Sequence, residues 1–135
     1  LHYAATRAAK TGGGVEVLAI ITPQDQTHWL GVAEKMREEA RETIQENFQI
    51  YSNWMKDELK LEAELVIREG EKATEVLNQI SEDKEVGVLV LGANNSSEGP
   101  GPLISQLVSR DGGNLPIPVT IVPGSMTKER IEAVS

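Results

Sequence analysis

Gly92, Gly99 and Gly101 punctuate the stretch Val86 to Val108, V-G-V-L-V-L-G-A-N-N-S-S-E-G-P-G-P-L-I-S-Q-L-V, and together they could cradle a phosphate. Val86, Val88, Leu89, Val90 and Leu91 form a nearly continuous apolar run, the pattern of a parallel strand covered on both faces. Gly92 ends that run. Gly99 and Gly101 allow positive φ and close approach of a ligand to the backbone. Pro102 suits the first position of a helix, where its missing N–H would have had no partner in any case. A strand, a glycine-rich loop and a helix N-terminus in that order form the usual anion site of an open parallel sheet. The competing reading is a helix start that caps itself, with Ser96 or Ser97 satisfying local N–H groups.

Other chemistry is poorly supported. Cysteine is absent, which excludes disulfides, zinc–thiolate sites and cysteine nucleophiles. His2 and His28 stand apart from any ligand-spaced partner, so no metal site is expected. Ser96, Ser97, Ser105 and Ser109 lack a visible base, and neither a G-x-S-x-G elbow nor a G-x-x-x-x-G-K-[ST] loop is present. No catalytic residue is assigned; turnover is not indicated beyond weak ATP hydrolysis. Trp29 and Trp54 read as core or dimer-contact residues rather than stacking platforms. A net charge of −8 argues against nucleic acid as a partner, since such binding needs Lys and Arg to neutralise phosphates. No apolar run approaches the ~20 residues that span a bilayer, and no signal-peptide pattern is read, so a cytoplasmic protein is expected.

The elements that would position the loop follow from periodicity. Leu1 to Lys10 is a small-residue helix stopped by Thr11-Gly12-Gly13-Gly14. Val15 to Ile21 is a β-rich buried strand, and Thr22 to His28 a loop past its end. Val32, Met36, Ala40, Ile44, Phe48, Tyr51 and Met55 make one apolar face of a long helix from about Gly31 to Asp57. Its Glu34, Glu38, Glu39, Glu42 and Glu46 are solvent dressing. Leu61 to Arg68 is a strand nearer the sheet edge, and Ala73, Val76, Leu77 and Ile80 line a second amphipathic helix. Leu103 to Arg110 is a third. Pro116 to Val122 is the last strand, its two prolines pointing to an edge. Residues 1–124 form one domain, and 125–135 a tail or a short helix from Thr127.

This alternation of helices and strands implies an α/β fold with a parallel sheet and helices on both faces. The chain opens on a helix, so the expected sheet has five strands, with the first and central one lying ahead of Leu1.

Four stretches, taken in order, resemble the universal stress protein family. They are the helix ending in T-G-G-G before V-E-V-L-A-I-I, the segment L-V-I-R-E-G-E-K-A-T-E-V-L, the strand V-G-V-L-V-L-G-A, and the closing P-I-P-V-T-I-V-P. The resemblance covers nearly the whole chain. It implies an open, mostly parallel five-stranded Rossmann-like sheet of the adenine nucleotide alpha hydrolase type. It also implies a regulatory role in stress response and a homodimer, often joined through the last strands.

One branch of that family binds ATP through G-x-x-G, nine residues, then G-S or G-T; the other lacks the pattern and does not bind ATP. On this chain the pattern falls on Gly92, Asn95 and Ser105-Gln106, so one of three glycines is kept. Asn tolerates left-handed backbone better than most residues, and Ser105 could offer a hydroxyl. The resemblance puts Ile20 and Ile21 beside the adenine. The implied ligand is ATP or AMP with magnesium. Against it, no Lys or Arg lies between Lys84 and Arg110, and Glu98 sits in the loop. The alternative is a nucleotide-free dimeric module acting through an unidentified protein partner. A flavodoxin-like carrier is compatible with the sheet alone, but the hydroxyl-rich phosphate run it needs is missing.

Overall fold

The computed structural model describes residues 1–22, 30–93, 99–111 and 115–135. The element order is α1 (His2–Thr11), β1 (Val15–Ile21), α2 (Leu30–Leu59), β2 (Ala63–Glu69), α3 (Lys72–Glu82), β3 (Leu89–Ala93), α4 (Pro102–Asp111), β4 (Val119–Pro123) and α5 (Lys128–Val134). The expected α/β alternation is present. The glycine stop of α1 works as its sequence suggests: Gly12 takes the left-handed conformation at φ 75°, and Gly13 N–H reaches back to Ala8 O at 3.0 Å. At the end of α2 the same turn falls on Lys60, at φ 57°. The short C-terminal helix is there too, with Thr127 Oγ1 accepting from Arg130 N–H at 3.2 Å. Lys10 Nζ donates to Glu132 O at 3.0 Å and ties that helix to α1.

The expected five-stranded sheet is not formed. The described residues make two parallel pairs, β1 with β2 and β3 with β4. Val15 pairs with Ala63 and runs in register to Ile21 with Glu69; Leu89 pairs with Val119 and runs to Ala93 with Pro123. The strand expected first and central has no counterpart among the described residues. Each pair therefore keeps its own edges, and every residue of β1 is only half-buried despite its apolar run.

β3 also starts later than its apolar run. In the observed register Val88 would face Pro118 and Val86 would face Pro116. Prolines carry no N–H for a ladder, so pairing begins at Leu89, whose N–H donates to Pro118 O at 3.0 Å.

The two pairs share one core. Ala73, Val76 and Ile80 of α3 and Leu107 of α4 are buried together, and Leu18 and Ile20 of β1 pack on them alongside Leu89 and Leu91 of β3. Alternation sends Val17 and Ala19 to the opposite face of β1, the side approached by α2, where Met55 is fully buried. Polar links fasten the layers. Arg37 and Arg41 of α2 lie 3.8 and 3.7 Å from Glu69. Arg68 of β2 reaches Glu75 at 2.8 Å and Glu82 at 2.6 Å on α3.

Candidate functional site

The loop between β3 and α4 is placed by the strand end and the helix start. Gly92 is the next-to-last residue of β3, paired with Val122 and exposed. A Cβ added to it would meet nothing within 4 Å among the described residues, so the packing of the fold does not require a glycine there. Gly99 and Gly101 take φ of 108° and 114°, backbone that side chains rarely adopt. These two positions need glycine for the path of the chain itself. Pro102 is the first residue of α4, the position its ring favours.

The donors of the helix start can be counted. Ser105 N–H already donates to Gly101 O at 3.1 Å. Pro102 has no N–H. The N–H groups of Leu103 and Ile104 are thus the ones inside α4 without an acceptor in the helix, and they are what it can offer a ligand, with a dipole of about half a charge. The side chains of Ser105 and Gln106 are exposed one turn further on. Asn95, together with Ser96, Ser97 and Glu98, lies outside the described residues, as do His28 and Trp29.

Ile20 and Ile21 close the C-terminal end of β1. Ile20 packs into the shared core against α3 and α4, and strand alternation directs Ile21 to the other face. Ile21 O accepts from Gly70 N–H at 3.0 Å, which closes the end of β1 onto the turn into α3.

A second concave surface lies elsewhere. Leu1, His2, Ile50, Tyr51 and Trp54 line an apolar groove of about 340 Å³ between α1 and α2. The His2 ring stacks on Trp54 with centroids 4.8 Å apart, and its Nε2 is 3.8 Å from Glu132 of α5. Trp54 is therefore a helix-contact residue at the surface rather than a core residue. No group of three or more His, Cys, Asp or Glu among the described residues is arranged to hold a metal ion. No described helix is long and apolar enough to cross a membrane.

Comparison of the sequence with models of known protein families finds no match, and neither does comparison with curated proteins. The three-dimensional comparison does. The universal stress protein UspA from Lactobacillus plantarum superposes with a TM-score of 0.73 over 88% of this chain and 83% of its own, at 13% sequence identity. The fold is that of a universal stress protein. At so low an identity the likeness is one of fold. What that loop does in this chain must be argued from its own residues.

The side chains that bind the universal-stress fold together here include a group that sequence reading did not isolate. Gln79 of α3, buried at 9% exposure, accepts from Arg68 Nη1 at 2.9 Å and donates to Glu16 Oε1 at 2.9 Å. Its partners are 11 and 63 residues away in sequence, so no local pattern announces it.

Proposed function

We propose that this universal-stress-type domain is a regulatory module that takes an adenine nucleotide, ATP or AMP with magnesium, at the loop from Gly92 to Gln106. The observation that carries the reading is the backbone around that loop. Gly99 and Gly101 hold positive φ directly before a helix whose Leu103 and Ile104 N–H groups lack helical acceptors, and Gly92 lies open at the end of β3. Such a strand end and helix start suit a polyphosphate. Magnesium would offset the missing Lys and Arg by neutralising part of the phosphate charge. Asn95 would replace a glycine at the turn, and Ser105 would add its hydroxyl. No side chain among the described residues is placed as a general base, and the reading is one of binding.

The test is a thermal shift with Mg-ATP and with Mg-AMP. A ligand at 100 times its dissociation constant adds about 2.7 kcal/mol. For a chain of 135 residues that is a rise in Tm of about 10 °C. No rise with either nucleotide at millimolar concentration would overturn the reading.

A second reading has its own support. Ile50 and Tyr51 on α2 and Ile121 on β4 are 67%, 50% and 43% exposed. These apolar surfaces suit a nucleotide-free homodimer that signals through a protein partner. A stable dimer by light scattering with no nucleotide adduct would favour it.

A further inference from the structure

The groove between α1 and α2 shares no residue with the glycine loop. Its lining is apolar and aromatic. Leu1 and His2 stand at the start of α1, and Ile50, Tyr51 and Trp54 follow one another along one side of α2. Leu1, Ile50 and Tyr51 stay exposed, and as the lining of one groove they make a patch rather than scattered surface residues. The His2 ring, stacked on Trp54, holds that side chain in place as a wall.

The rim is acidic. Glu46 lies one turn before Ile50, and Asp57 and Glu58 lie one turn after Trp54, so helical periodicity puts all three on the groove's side of α2. All three are exposed. On the α1 side, Glu132 of α5 comes to 3.8 Å from His2 Nε2 and remains half-exposed. The cation beside it, Lys10, donates to Glu132 O. Arg37 and Arg41 of α2 lie beside Glu69, and Lys56 beside Glu62. An apolar floor ringed by carboxylates repels a second copy of the same face and attracts a cationic one.

We propose that this groove docks a basic amphipathic helix of a partner protein. Apolar residues at helical spacing enter between Leu1, Ile50, Tyr51 and Trp54, and lysines and arginines on either side meet Glu46, Asp57, Glu58 and Glu132. A helix laid in a groove is read through anchors at i, i+3, i+4 and i+7, and a basic amphipathic helix carries its cations beside those anchors. The groove is walled before the helix arrives, which lowers the cost of ordering it. The site stands whether or not the glycine loop takes a nucleotide.

The probe is a short fluorescein-labelled peptide of leucine and lysine, with leucines at helical spacing, together with a twin in which glutamate replaces every lysine. Fluorescence anisotropy should show the lysine peptide binding the parent chain and the twin failing to bind. Ile50→Asp changes a side chain already in water and should weaken binding about tenfold or more. Asp57→Lys with Glu58→Lys should weaken it several-fold. Glu38→Lys with Glu42→Lys makes the same change of charge on the other side of α2 and should leave binding near the parent value. Equal losses in the two double variants would mean attraction to net charge alone and overturn the proposal, as would binding untouched by Ile50→Asp. A parent that binds neither peptide overturns it too. So does a parent dimer that Ile50→Asp turns into a monomer, since a second copy then fills the groove.

Discussion

Leu107 is the test of whether the two strand pairs are one folded unit. It is 1% exposed, sits on α4, and is buried with Ala73, Val76 and Ile80 where β1 and β3 both pack. Leu107→Ala would remove that side chain from the only buried cluster the two pairs share among the described residues. The loss of transfer energy and the cavity left behind cost about 2–5 kcal/mol at such a site. With an unfolding entropy of roughly 2.1 cal/mol/K per residue, 135 residues and a cost of about 3 kcal/mol, Tm should fall by about 10 °C. The next residue supplies the control. Val108 is 54% exposed, and Val108→Ala should leave Tm unchanged or raise it slightly, since alanine is the better helix former. Differential scanning calorimetry reads both as single transitions. The reasoning is refuted if the two variants match the parent equally, or if Leu107→Ala splits the transition so that one part keeps the parent's Tm.

Three more outcomes are expected. Gly101→Ala forces a side chain to φ 114° and should cost about 1–3 kcal/mol, measured by urea unfolding, while removing any Mg-ATP shift. Glu82 has its carboxyl held below the ordinary range by the hydrogen bond and charge of Arg68, so it contributes stability at neutral pH that is lost as pH falls through that lowered value. Glu82→Gln should therefore lower Tm at pH 7 and converge on the parent in acid. On the homodimer reading, Ile121→Lys places a charge on the exposed surface of β4 and should shift the chain to monomer by light scattering, with Tm moved by no more than the dimer contributes.

Much of the fold was legible because its signals are local. The apolar spacing from Val32 to Met55 marks α2, Gly12 marks the end of α1, and Thr127 caps α5. The reading exceeded the structure where pairing decides the outcome. An apolar run of Val86 to Leu91 says buried strand, yet only a partner with free N–H groups can ladder with it, and Pro116 and Pro118 delay that to Leu89. The same limit holds for the sheet: apolar composition marks β1 and β3 as buried strands, but which strands pair is decided between segments far apart in the chain. At the candidate site the glycines at 99 and 101 were readable, since positive φ and glycine go together. The separation of Ile20 from Ile21 follows from strand alternation, which the family pattern had passed over. The Arg68–Gln79–Glu16 chain of hydrogen bonds was not readable, because it exists only once α3 lies on the sheet.

The central claim is that the loop past β3 receives a nucleotide, and Gly92 tests it most directly. Gly92→Ala meets open space among the described residues and should leave stability within about 0.5 kcal/mol of the parent. Native mass spectrometry of parent and variant, each titrated with Mg-ATP, then reads binding without interference from stability. The account predicts one nucleotide adduct per protomer in the parent and its loss or severe weakening in the variant, where a methyl group blocks approach to the backbone. Parent and variant binding equally well, or a parent that stays free of adduct at millimolar Mg-ATP, would contradict it.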